Sequence, residues 1–182
     1  MKISRNTYFF YKKRQNQSIS SLLLSFLKAL MMGYLNDEVE TNEALQVHDD
    51  GHVWLHTGDL GCLDEDGFLY YKGRIKRMII TSGYNVYPSH IEEVIESHPS
   101  VLQCSVVGVP HPYKQEVPKA FVVLKDGFQG IFIKTELKEH CKKYLAKYMV
   151  PSEIVIRKKL PKTKLGKVDF NRLKDDFDDD DQ

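Results

Sequence analysis

The spacing of apolar and polar residues changes repeatedly along these 182 residues. The run Leu22-Leu-Leu-Ser-Phe-Leu27 predicts an amphipathic helix over residues 20–30 and is too short to cross a bilayer. After the turn signal Asp49-Asp50-Gly51, residues 53–56 and 60–63 read as short strands. A second turn, Asp64-Glu65-Asp66-Gly67, leads into a third strand over 68–72, which completes a small antiparallel meander. Pro88 then opens a helix in which Ile91, Val94 and Ile95 share one face, and it ends near His98-Pro99. Branched apolar runs predict strands over 101–109 and 117–125. Leu137, Cys141, Tyr144 and Leu145 recur at helical spacing within 134–148, with lysines on the other face, and Pro151 ends that helix before a further strand at 154–156. Strands alternating with helices predict an α+β class, a small sheet with packed helices preceded by the meander.

Composition narrows this picture. Hydrophobic residues make up 42% and charged residues 28%, which suits a packed core. The formal charge of +1 gives no reason to expect nucleic acid as a partner. Cys62, Cys104 and Cys141 are widely spaced and form no CxxC pair, so they read as reduced thiols in a cytoplasmic protein. Lys2, Arg5, Lys12, Lys13 and Arg14 before the leucine run imitate a signal peptide, but Lys28 interrupts the run and no small-x-small cleavage site follows. The aspartates of 175–181 read as an acidic, solvated tail.

Chemistry concentrates around Lys72-Gly-Arg-Ile-Lys-Arg-Met-Ile-Ile-Thr-Ser-Gly-Tyr-Asn-Val-Tyr-Pro88. Arg74, Lys76 and Arg77 precede an apolar triplet, and the small Ser82-Gly83 step follows, which suits an anionic ligand near movable backbone or equally a solvated charge cluster. Upstream, Thr57-Gly58-Asp59 sets a carboxylate after a glycine; such a carboxylate accepts hydrogen bonds from vicinal hydroxyls, or simply ends a strand. Downstream, Lys167 closes Pro161-Lys-Thr-Lys-Leu-Gly-Lys167, as a mobile ammonium or as one exposed lysine among Lys158, Lys159, Lys162 and Lys164. The 11 glycines never cluster into a phosphate loop. His48, His52 and His56 recur every fourth residue, but Asp49-Asp50-Gly51 breaks any helix there, so no metal site is expected. Cys141 reads as packing, and Glu92, Glu93 and Glu96 as a solvated helix face.

Three motifs in order, Trp54-Leu-His-Thr-Gly-Asp-Leu60, the central stretch, and Leu160-Pro-Lys-Thr-Lys-Leu-Gly-Lys-Val168, resemble the C-terminal third of the adenylate-forming superfamily of acyl-CoA synthetases. The resemblance runs from about Met32 to Lys174. It implies four divisions: a leader (1–30), an end fragment of the large AMP-binding domain (31–75), a C-terminal lid domain (76–174) and the tail (175–182). It implies a ligase that activates a carboxylic acid, of the fatty acid kind, with ATP and Mg2+ carried by the ATP. That ligase forms an acyl-adenylate and passes the acyl group to CoA. Thr57, Asp59 and Arg74 would contact the nucleotide, Asp59 through the ribose. Ser82, Gly83 and Tyr84 would border the CoA arm, Lys76 would be the hinge between adenylating and thiol-transfer poses, and Lys167 the catalytic lysine of adenylation. The phosphate loop and acyl pocket fall in the superfamily's first two-thirds, so a truncated, inactive form is expected. The alternatives are a separately encoded lid that docks on a large AMP-binding domain, or a fragment of a peptide-synthetase adenylation domain. His90, Gln115 (for a common glycine) and Leu165 (for a frequent serine) depart from the pattern without removing a proposed catalytic group.

Overall fold

The computed structural model describes residues 21–25, 30–64, 66, 68–128 and 132–175. The charged N-terminal segment and all but the first residue of the acidic tail lie outside them. The chain divides into two compact units after Lys76.

In the first unit, β3 (Val53–Leu63) is the central strand of an antiparallel sheet. One of its edges carries β1 (Ser21–Ser25), with Leu22 opposite Leu60 and Ser25 opposite Leu55. The other edge is shared by β2 (Leu45–Val47) and β4 (Leu69–Arg74). Two expectations are corrected here. The leucine run is a strand where described, not a helix; an edge of the 11-residue β3 pairs with it on both sides of a register shift at Leu23, whereas a short isolated helix must carry a costly nucleus. The two short strands at 53–56 and 60–63 are one strand. The register against β1 runs from Leu60 to His56 across Leu22 to Leu24, a bulge in β3 in which Gly58, at φ +72°, takes up the irregularity; against β4 the extra residue is Lys72, on β4. A helix the hydrophobic pattern did not predict, α1 (Glu38–Ala44), buries no side chain and is started by Asp37, whose carboxylate accepts from Glu40 N.

The second unit has β8 (Gln115–Leu124) at its centre. β7 (Val101–His111) pairs antiparallel along one edge. On the other edge lie β9 (Glu153–Arg157), parallel to β8, and the hairpin of β5 (Ile79–Thr81) and β6 (Tyr84–Val86), joined by Thr81 opposite Gln115. Residues alternate along β8 between two cores. Ala120 and Val122 face α2 (Pro88–Glu96) and α3 (Ile133–Tyr144), packing with Ile91, Ile95, Leu137 and Cys141. Phe121 and Val123 face the opposite side, packing with Leu160 and with Leu173 of α4 (Phe170–Lys174). Layers on both faces explain why β8 reads as an unbroken apolar run. These are the α+β layers the sequence predicts, antiparallel apart from the β8–β9 pair.

Candidate functional site

In the first unit the bulge decides where the motif residues go. Thr57, Gly58 and Asp59 lie inside β3 and not at a strand end, because β4 continues the ladder past the bulge and sets Asp59 opposite Arg74. Arg74 Nε lies 3.0 Å from Asp59 Oδ1. The angle is too bent for a hydrogen bond, so this buried oxygen accepts none among the described residues. Thr57 Oγ1 accepts from Asp59 N at 3.1 Å and holds the turn. The Arg74 side chain is 63% exposed, so its contact with Asp59 contributes little to stability and leaves the guanidinium free to meet a ligand. A part-buried carboxylate, an exposed guanidinium and open space above Gly58 fit a polyol with an anionic group, as a nucleoside phosphate is.

The histidines behave differently from the helical spacing considered above. The turn after β2 folds His48 back so that its Nε2 lies 3.0 Å from Nε2 of His56. Burial holds the His56 imidazole below its ordinary pKa, and the neighbouring His48 adds to this. Among the described residues no three His, Cys, Asp or Glu side chains could hold a metal ion together.

The second unit presents two features. Ser82 and Gly83 both have positive φ, +50° and +81°, the two-residue type I′ turn that matches the twist of the β5–β6 hairpin. Ser82 N donates to Lys114 O and Ile80 N to Glu116 Oε2, which ties the hairpin to the β7–β8 turn. A Cβ on Gly83 would meet nothing within 4 Å, so the turn borders open space. Tyr84 stacks on Tyr148 with ring centroids 4.2 Å apart.

The second feature is the arch that carries Lys167. Leu160 and Pro161 are buried at one foot, and Val168 and Phe170 pack on the same core at the other. Lys162 pairs with Val168, Thr163 N donates to Lys167 O, Gly166 N to Thr163 O, and Asp169 N to Pro161 O. Lys167 is exposed and forms no ion pair among the described residues.

One sequence expectation fails in part here. Glu93 and Glu96 are exposed, but Glu92 is half-buried, and both Glu92 and Glu96 bond to β7: Glu92 Oε1 accepts from Val106 N at 2.8 Å and Glu96 Oε1 from Cys104 N at 2.9 Å. Two carboxylates of α2 thus satisfy donors on the open edge of β7. Glu92 also pairs with Arg77, whose guanidinium lies over the Phe170 ring, 3.8 Å from its centroid. Cys104 and Cys141 are free and buried; burial raises both thiols, Cys141 to about 11, which leaves them unreactive near neutrality.

A sheet covered by α2 and α3 on one face and by an exposed lysine arch and α4 on the other is the α+β fold of adenylate-forming C-terminal domains. Residues 90–167 match the AMP-binding enzyme C-terminal domain, and the chain carries that domain. It is 42% identical over 147 residues to a long-chain-fatty-acid–CoA ligase of Yersinia pestis, covering 81% of this chain and 25% of that protein. Identity to the corresponding ligase of Bacillus subtilis is 44% over 144 residues, 79% of this chain and 24% of that one. The o-succinylbenzoate CoA synthetase of Bacillus subtilis, solved with its acyl-adenylate intermediate, superposes with a TM-score of 0.79 at 31% identity, over 93% of this chain and 34% of that one. The chain thus spans about a quarter to a third of the length of the relatives it matches.

Proposed function

We propose that this chain is the C-terminal part of an ATP-dependent acid–CoA ligase of the fatty acid kind, working by acyl-adenylate formation and then thioester formation with CoA. The observation that carries the reading is Lys167: an exposed ammonium that forms no ion pair among the described residues, on the C-terminal limb of an arch whose feet are buried. An ammonium so displayed stabilises the charge that develops on phosphate oxygens as pyrophosphate departs.

The other roles follow from local chemistry. Asp59 receives the ribose hydroxyls on its carboxylate, with Thr57 holding the turn, and Arg74 meets the nucleotide's phosphate or ribose oxygens. ATP supplies the leaving pyrophosphate and brings Mg2+ with it. Ser82, Gly83 and Tyr84 border the passage of the CoA arm, since the open space at Gly83 leaves room for a chain that a side chain would obstruct. Lys76, at the division between the units, is the hinge. The setting is cytoplasmic, and a large AMP-binding domain supplies the phosphate loop and acyl pocket.

Pyrophosphate release tests this reading. The 182-residue chain with ATP, Mg2+, CoA and a panel of carboxylic acids should release none. Mixed with the separately produced large domain of a long-chain-fatty-acid–CoA ligase, it should support turnover, and Lys167→Ala should lower adenylation at least 100-fold while sparing thioester formation from a supplied acyl-adenylate. Robust turnover by the isolated chain, or an unimpaired Lys167→Ala adenylation rate, refutes the proposal.

A further inference from the structure

Arg77 is the first residue of the second unit and directly follows the proposed hinge Lys76. It sits at the end of the 3-10 turn Ile75–Arg77, and its side chain is three-quarters buried. Three elements meet on it. Glu92 of α2 takes its charge. The carbonyl of Val106 on β7 accepts from Nη2 at 3.4 Å. Phe170, the first residue of α4, offers its ring face 3.8 Å from the guanidinium carbon. Phe170 stands three residues beyond Lys167 and belongs to the C-terminal foot of the lysine arch. The same Glu92 oxygen accepts from Val106 N, so the network has no slack on the sheet side.

We infer that Arg77 is a positioning residue: its guanidinium, clamped between Glu92 and the Phe170 ring, fixes the foot of the Lys167 arch to the residue beside the hinge, so that rotation there carries Lys167 as a rigid arm. This inference rests on the proposed roles of Lys76 and Lys167 for its meaning in catalysis; the mechanical link itself does not depend on them. Guanidinium chemistry is what the arrangement requires. A planar cation can lie flat on an aromatic face while its edge donates to a carboxylate, and an ammonium cannot do both from one position. Arg77→Lys therefore keeps the charge beside Glu92 and loses the clamp.

Hydrogen exchange on the intact chain, read residue by residue by NMR, separates the link from general stability. Three amides report on the arch: Thr163, Gly166 and Asp169, which donate to Lys167 O, Thr163 O and Pro161 O. Phe170→Leu should speed their exchange about tenfold while Val106, held by Glu92 independently of the ring, exchanges as before. Phe170→Tyr, which keeps the ring face, should restore the original rates, and Arg77→Lys should reproduce the Phe170→Leu pattern. Unchanged arch amides in Phe170→Leu overturn the inference. Uniform acceleration that includes the β8 amides, or failure of Phe170→Tyr to rescue, also overturns it, since either would mark a plain packing role. None of these readouts involves turnover, so a failed pyrophosphate assay would leave this test standing, and the reverse holds equally.

Discussion

Glu92 carries more of the second unit than its place in an acidic helix suggests, and its removal can be worked through. One carboxylate oxygen satisfies Val106 N at 2.8 Å and neutralises Arg77, and the paired side chains are only 16% and 25% exposed. Glu92→Ala leaves an amide on the β7 edge and a mostly buried guanidinium without this partner. Hydrogen bonds to charged groups contribute about 1.5–3 kcal/mol, and breaking a buried pair from one side costs about 3–5 kcal/mol. The remaining exposure lets water take over part of the loss, so about 3 kcal/mol is the expected destabilisation. Glu92→Gln keeps an acceptor for Val106 N but not the charge and should cost about 1–2 kcal/mol. Urea unfolding followed by far-UV circular dichroism measures both, with an unchanged m-value as the check that the denatured state is the same. The double variant Arg77→Met/Glu92→Leu leaves no unpaired charge and should lose less than Glu92→Ala alone. If Glu92→Ala costs under 1 kcal/mol, or the double variant's loss equals the sum of the singles, the network is not coupled as argued.

Two further outcomes can be measured on the same chain. Gln115 holds φ at +67°, a left-handed conformation that costs a side-chain-bearing residue about 1–2 kcal/mol; Gln115→Gly removes this strain, gives back part of it as chain entropy, and should stabilise by up to about 1 kcal/mol in urea unfolding, with a loss of stability contradicting the argument. Burial, with the neighbouring imidazole second, depresses the pKa of both His56 and His98, so the unfolded chain binds protons more readily than the folded one. Stability from these two residues is complete above pH about 6.5 and drains away as pH falls from there through their depressed folded values, so a His56→Gln variant should show a flatter decline below pH 6.5 than the parent; an equally steep one would refute this assignment.

Much of the second unit could be read from the chain because its signals are local. Pro88 with Ile91 and Ile95 four apart, and Leu137 with Cys141 four apart, place two helices whose buried faces are the observed ones. What the pattern missed depends on partners distant in sequence. Leu22 to Leu24 become a strand because β3 lies alongside, a fact absent from residues 20–30 themselves. Glu92 looks like part of a solvent face until β7 presents its amides, since periodicity identifies the apolar face and says nothing about what the polar face meets. For His48 and His56 the chain rules out a helical series at Asp49-Asp50-Gly51, but not that the hairpin between them brings the two rings together. Among the candidate site residues, the Asp59–Arg74 pairing is likewise hidden: it follows from the register of β3 on β4, in which Lys72 is the extra residue, next to the bulge of β3 that Gly58 announces.

That bulge and the Ser82-Gly83 turn share a property that separates them from glycines kept for packing. At Gly108 an added Cβ would come within 3.0 Å of the Glu116 carboxyl, so a neighbour explains the missing side chain there. At Gly58 and Gly83 an added Cβ would meet nothing within 4 Å, although both hold positive φ. No neighbour in the fold demands a bare backbone at these two places; the chain direction does, and the space it leaves is open. One of these openings lies beside the Asp59 carboxylate, and the other at the tip of a hairpin braced by Lys114 and Glu116. A rigid frame that turns unobstructed backbone outward is what a ligand approaching main chain needs. The open space at both positions is what the proposed nucleotide and CoA contacts require.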